Sequence, residues 1–213
     1  MAAVEYTVAD GVAHIELNRP ESANALDLAL GVGLREAAER AAEDEGVRAV
    51  VLSGAGKRFC GGGDIASFAD SQDTAGDLYE LAVAGDAAVA ALEALAKPVA
   101  VAVHGAVAGA GLGIMLSGDV VIAAEGTKFV VAYPKIGLNP DCGTSTLLPL
   151  AMEQGAIAQR VVRAGAGRQL RGRRSTAVAS MTGRSYEAVV HARRKVRVDP
   201  KWAQVAGVGE VAR

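Results

Sequence analysis

Apolar and polar residues alternate over Val4–Val8 and again over Val12–Leu17, and Ala9-Asp10-Gly11 joins the two runs. Period-two alternation on either side of an Asp-Gly turn predicts a β-hairpin. A polar, proline-bearing loop follows, Asn18 to Leu26, and from Asp27 the period lengthens. Leu30, Leu34, Ala37, Ala38 and Ala41 share one helical face, with Arg35, Glu36, Glu39 and Arg40 opposite, and Gly46 is the predicted stop. Val47–Ser53 reads as a buried strand, 66–76 as a polar excursion and 77–95 as a second amphipathic helix. Pro98–His104 is another buried strand that runs into glycine-rich residues 105–113. A short apolar helix, strands over Asp119–Ala124 and Lys128–Ala132, and a loop over 133–143 complete the pattern. Strand, helix, strand and glycine loop recur, which predicts an α/β fold with its chemistry in the loops.

Composition narrows this picture. Of 213 residues, 51% are hydrophobic and only 4% aromatic, so the chain can bury a sizeable core built from Ala, Val, Leu and Ile. Two cysteines, Cys60 and Cys142, cannot make a disulfide scaffold or a four-cysteine zinc site. The most apolar stretch, 98–124, is broken by His104, Gly105, Gly109, Gly111, Gly113 and Asp119, so it reads as buried structure rather than a membrane span. The MAAVEYTVADG start has no export pattern, and a cytoplasmic protein is expected. His14, His104 and His191 are isolated, so no metal site is expected. His104 and Asp119 are better read as structural residues than as catalysts.

Net charge is −2, but it divides unevenly: residues 1–150 carry 9 Lys+Arg against 20 Asp+Glu, and residues 151–213 carry 13 against 4. The expected organisation is a core over 1–150 and a basic C-terminal segment over 151–213.

The loops invite two phosphate-binding readings, and both fail on spacing. A phosphate loop ending in Gly56-Lys57 would need glycine where Val51 stands and Ser or Thr where Arg58 stands. A dinucleotide fingerprint from Gly111 would need its third glycine where Leu116 stands. A third reading explains both loops together: two glycine-rich turns after buried strands can each aim a backbone N–H at one point, forming an oxyanion hole.

Four segments, NRPESANAL, GAGKRFCGGGDI, VHGAVAGAGLG and YPKIGLNPDCGT, resemble in order and spacing the signatures of the enoyl-CoA hydratase/isomerase (crotonase) superfamily. The resemblance covers about residues 4–150. It implies a crotonase-like spiral of ββα units with an atypical C-terminal segment, and an acyl-CoA thioester whose carbonyl oxygen is held while an enolate forms. Coenzyme A would be part of the substrate, with no separate cofactor. By position, the implied amide donors are Gly61 and Ala110, and Ala110→Pro is expected to be severe. Ala23, Asn24, Ala25 and Leu26, with Cys60, Gly62, Gly63, Asp64 and Ile65, match segments that line the coenzyme path. Gly109 and Tyr133 join them, Tyr133 as an acyl-tunnel or core residue. Asn24 reads equally well as a turn or cap residue, and Asp64 as a loop hydrogen-bond acceptor. Cys60 has no paired histidine in its motif and does not read as a nucleophile.

The family's hydratases carry two glutamates, and in this sequence Gly113 and Lys135 hold those positions. Asp141, in Asn139-Pro140-Asp141-Cys142-Gly143, is the remaining acid. KIGLNPDCGT is similar to the loop of Δ3-Δ2-enoyl-CoA isomerases and of the related ring-epoxyphenylacetyl-CoA isomerases, in which one carboxylate moves the proton, here expected to pass from C2 to C4. The bland alternative is a turn-stabilising Asp after proline.

Beyond Leu147-Leu148-Pro149 the resemblance lapses. The family continues with helices that cap the acyl site and build trimers, so a homotrimer or hexamer is expected only if this segment is competent. A frameshifted or truncated terminus would explain the abrupt change in composition. A divergent helical region could instead supply cations for the coenzyme phosphates. A nucleic-acid tail built on Arg168, Arg171, Arg173 and Arg174 is disfavoured because no aromatics interleave them. Alternatives to isomerisation are hydration by a rearranged base and a non-catalytic acyl-CoA binder.

Overall fold

The computed structural model describes residues 2–68 and 71–153, together with three short strands at 161–164, 180–182 and 185–187. The hairpin forms as the alternation predicts: β1 (Val4–Ala9) pairs antiparallel with β2 (Val12–Leu17). Asp10 and Gly11 both take positive φ, 51° and 79°, which suits the right-handed twist of the flanking strands.

Helix α1 (Leu28–Glu43) starts at Asp27, whose side chain accepts from the Leu30 amide, and it buries the predicted face from Leu30 to Ala41. It ends at Asp44, two residues before the predicted stop, and the Asp44 carboxylate takes the Gly46 amide at 2.8 Å. On the outer side the Arg40 guanidinium lies 4.2 Å from the centre of the Tyr6 ring. Strand β3 (Ala49–Gly54) follows, then α2 (Thr74–Glu93), which is capped by Asp73 and begins three residues before the prediction.

The next two turns of the chain repeat one plan. Strand β4 (Val99–Val103) is followed by β5 (Ala106–Ala108) and α3 (Ala110–Leu116). Strand β6 (Val120–Ala124) is followed by β7 (Lys128–Val130) and α4 (Thr144–Glu153). Residue 150, the expected boundary of the core, falls inside α4. Strands β2, β3, β4 and β6 run parallel in the main sheet and continue into β8 (Val161–Ala164) and β9 (Ser180–Thr182), with β10 (Ser185–Glu187) antiparallel at the far edge. Strands β5 and β7 pair parallel in a small second layer, and Cys60 bridges to Val107 of β5. Each turn of this spiral of ββα units therefore gives one strand to the main sheet and a short stretch to the layer that carries the glycine loops.

The core lies between the main sheet and the helices. Ile15, Leu17, Leu30, Leu34, Leu52, Leu92, Leu112, Ile114, Met115 and Leu116 are fully buried, and Phe59 is the one aromatic among the largest such side chains of the described residues. Aliphatic packing of this kind is what a chain poor in aromatics must use. No described helix is long and apolar enough to cross a membrane. The cluster Arg168, Arg171, Arg173 and Arg174, on which the readings of the C-terminal segment turn, lies outside the described residues, as does His191.

Candidate active site

The loop over 60–65 is held on one side by residues 23–26 and on the other by β5. Cys60 donates its N–H to Ala106 at 3.3 Å and accepts at its carbonyl from Ala108 at 3.0 Å. Gly61 then turns the other way and donates its N–H to the Ala23 carbonyl at 2.9 Å. This corrects the expectation for Gly61: an amide committed to a carbonyl inside the fold is not available as an oxyanion donor.

Leu26 donates to the Gly62 carbonyl at 2.7 Å and accepts from the Asp64 amide at 2.8 Å. In a parallel bridge of this kind the partner straddles one residue, here Gly63, whose N–H therefore faces away from the 23–26 segment. Among the described residues, nothing accepts a hydrogen bond from it. The glycine loops meet on that side: a methyl placed on Gly62, whose φ is +105°, would lie 3.2 Å from the Ala108 carbonyl oxygen and 3.8 Å from Gly109 Cα.

Ala110 opens α3, and its amide likewise has no acceptor among the described residues, as expected of the first amide of a helix. The amide of Gly109 is taken by the Val130 carbonyl at 3.1 Å.

Several expected ligand contacts prove to be scaffold. Asn24 is fully buried with φ +52°. Its Oδ1 accepts from the Arg19 amide, and its Nδ2 donates to the carbonyls of Ala55 and Arg58, each at 2.8 Å. Both amide protons are taken and the side chain has no exposed surface, so Asn24 is the turn residue of its two readings. Leu26 and Cys60 are buried core residues too, and burial pushes the Cys60 thiol up to about 11, which keeps it a poor nucleophile. Asp64 pairs with Arg19 at 3.0 Å, and the same guanidinium reaches Asp27 at 3.2 Å and the Ala25 carbonyl at 2.6 Å. The sequence reading gave Arg19 no role, because nothing local signals a partner 45 residues away. Ala23, Ala25, Gly63 and Ile65 keep accessible surface, with Ile65 51% exposed. His104 bonds the Gly56 carbonyl at 2.9 Å, and Asp119 takes the Val99 amide at 2.9 Å, the structural roles expected of both.

The third loop carries the acid. Tyr133 is 5% exposed and opens a turn over Tyr133–Ile136 that ends at Gly137. Its hydroxyl donates to Asp141 Oδ1 at 2.8 Å and lies 3.3 Å from Thr144 Oγ1. Asp141 stays half-buried, while Cys142 beside it is buried with φ +47°. Burial first, and then the Asp141 carboxylate, push the Cys142 thiol well above the usual range. Gly143 donates its amide to Asp86 on α2 at 3.1 Å. Asp86 and Thr144 therefore shape this loop, and the sequence reading singled out neither.

The loop packs directly on α3. A Cβ on Gly113 would lie 1.7 Å from the Cys142 carbonyl oxygen and 3.1 Å from Thr144 Oγ1. Lys135 is exposed on the outside of its turn. Among the described residues, no group of three or more His, Cys, Asp or Glu could hold a metal ion.

Two amides on adjoining glycine loops, with one carboxylate loop seated on the helix that carries the second, can be set against known proteins. Residues 12–179 match the family described as enoyl-CoA hydratase/isomerase. The chain belongs to the enoyl-CoA hydratase/isomerase family. It is 40% identical over 146 residues to the 1,2-epoxyphenylacetyl-CoA isomerase of Escherichia coli K12, an alignment covering 67% of this chain and 55% of that protein. It is 35% identical over 149 residues to the trans-2-decenoyl-acyl-carrier-protein isomerase of Streptococcus mutans, covering 69% of this chain and 57% of that one. The crystal structure of an enoyl-CoA hydratase from Mycobacterium avium subsp. paratuberculosis superposes with a TM-score of 0.63 at 38% identity, covering 71% of this chain and 59% of that one. The chain thus spans little more than half the length of these curated relatives.

Both isomerases and hydratases stand among the relatives of this enoyl-CoA hydratase/isomerase family chain, so the choice between them falls to its own residues. At the position where the resemblance implies the first hydratase glutamate, the backbone of Cys142 fills the space a side chain would need.

Proposed function

We propose that the chain is an enzyme of acyl-CoA thioesters that shifts a carbon–carbon double bond, an enoyl-CoA isomerase. The N–H groups of Gly63 and Ala110 receive the thioester oxygen, and Asp141 is the sole acid–base group. The carboxylate takes the proton from C2 of a 3-enoyl thioester, and the negative charge spreads onto the carbonyl oxygen held by the two amides. The same carboxylate then delivers the proton to C4, leaving the double bond between C2 and C3. No water and no second acid enter the balance. Donors aimed at a developing oxyanion are worth most where water is excluded. One carboxylate can serve both half-reactions because it is a base in the first and an acid in the second.

The observation that carries this reading is the contact between Gly113 and Cys142. Hydration by two glutamates needs a side chain at 113, and the 141–144 backbone occupies that space. The contact that excludes the glutamate seats Asp141 beside α3. Self-association into a trimer or hexamer belongs to the same proposal, supported by the exposed apolar side chains Phe129, Val131 and Ile136.

Two assays test the proposal: conversion of a 3-enoyl-CoA to the 2-enoyl-CoA, and hydration of a 2-enoyl-CoA. Isomerisation that falls by about three orders of magnitude in Asp141→Asn is the expected result. Hydration without isomerisation would make the chain a hydratase with a rearranged base. Thioester binding without turnover in either assay would make it a binder.

A further inference from the structure

We propose that Tyr133 is a positioning residue for this proton transfer, its hydroxyl holding Oδ1 of Asp141 so that the carboxylate faces both carbons in one orientation. The inference rests on Asp141 being the shuttle.

The resemblance offered Tyr133 only as a lining of the acyl tunnel or as core. Its geometry is more specific than either role needs. The ring is 5% exposed, and its hydroxyl lies among Asp141 Oδ1 at 2.8 Å, the Asp141 carbonyl at 3.2 Å and Thr144 Oγ1 at 3.3 Å. A phenol has one proton, and the shortest and charged acceptor takes it. The Thr144 hydroxyl then donates to the phenol oxygen, which turns the phenol proton toward Oδ1. Burial, and after it the neighbouring carboxylate, hold the phenol well above the ordinary tyrosine range. Tyr133 is therefore a permanent donor and never a competing base.

Both ends of the clamp are fixed by backbone. The Tyr133 carbonyl accepts from the amides of Gly137 and Leu138, and the Asp141 carbonyl accepts from the Thr144 amide at 2.8 Å. Without the phenol, Asp141 would stand after Pro140 on a half-buried turn with only the weakly donating Cys142 thiol beside its carboxylate. A single shuttle must reach C2 and C4 of one substrate without exchanging its proton with water. A carboxylate that rotates toward solvent loses that proton before returning it. The clamp thus serves retention of the proton as well as rate.

The test compares Tyr133→Phe, Thr144→Val and their double variant in the isomerase assay, run in H2O and in D2O. Tyr133→Phe is expected to lower kcat about 10- to 100-fold with KM within twofold, and to raise deuterium incorporation at C4. Thr144→Val, which leaves the phenol in place but unoriented, is expected to lower kcat about threefold. The double variant should be no slower than Tyr133→Phe, because the two act through one bond. A raised KM with unchanged kcat in Tyr133→Phe would overturn the proposal and leave Tyr133 a tunnel wall. Unaltered deuterium uptake, or additive losses in the double variant, would overturn it as well. Should Tyr133→Phe fail to fold, Thr144→Val decides: unchanged kcat and unchanged deuterium uptake reject the clamp. Asp141→Asn separates the two levels, since full activity there rejects the shuttle itself, whereas its loss alongside an unaffected Tyr133→Phe rejects only the clamp.

Discussion

Gly113 shows how much one missing side chain can decide. In a helix interior glycine gives up about 1 kcal/mol relative to alanine, so its presence in α3 calls for a compensating contact. That contact is the Cys142 carbonyl, 1.7 Å from where a Cβ would stand. The obstruction is backbone, which cannot rotate away as a side chain could. Gly113→Ala is therefore expected to cost about 3 kcal/mol, at the upper end of overpacking, read as a lowered urea midpoint at unchanged slope. It should also depress isomerisation, because the 141–144 segment must lift off α3. Wild-type stability in Gly113→Ala would mean that the segment does not pack as described.

At the scale of elements, α3 invites a substitution that separates donor from fold. Ala110 is its first residue, a position where proline is tolerated because the amide has no helical acceptor to lose. Gly109 before it has φ 49° and ψ −124°, clear of the α conformation that a following proline disfavours. Ala110→Pro should fold with a melting temperature within a few degrees of wild type while kcat falls about 10²- to 10³-fold, the usual effect of removing one oxyanion donor. Comparable losses of activity and stability would count against the amide role.

The long elements were legible in the sequence because their information is local. The hairpin carries its Asp-Gly turn, and α1 carries both its face and its cap. Strand β5 was read as part of a loop because three residues, Ala106–Ala108, hold no measurable period and are strand only through Cys60 and β7. The assignment of a donor amide to Gly61 failed for the same reason. Gly61 and Gly63 are glycines in one run, and only pairing with Ala23 and Leu26 shows which amide is spoken for. The carboxylate loop was half legible: the motif pointed to Asp141, but Tyr133, Thr144 and Asp86 join it through contacts that span different elements.

At the scale of the whole molecule, three buried groups around the site, the thiols of Cys60 and Cys142 and the phenol of Tyr133, favour their neutral forms. Burial raises the Cys60 thiol from its ordinary 9.0 to about 11, and raises Cys142 and Tyr133 further. Below about pH 8 these groups are protonated in the folded and the unfolded chain alike, so they leave stability unchanged there. Above it the unfolded chain releases protons that the folded chain keeps, and unfolding becomes steadily easier. Between pH 9 and 11 Cys60 alone accounts for a loss of about 2 kcal/mol; Cys142, raised from the same 9.0, declines in step with it, and Tyr133 joins from about pH 10. Urea midpoints measured from pH 7 to 11 should stay level as far as about pH 8 and then fall. Cys60→Ala should make the first part of that fall about half as steep, since it removes one of the two thiols while keeping a small apolar group against β5. An equally steep fall in Cys60→Ala would show that the thiol at 60 titrates as freely in the folded chain as in the unfolded one.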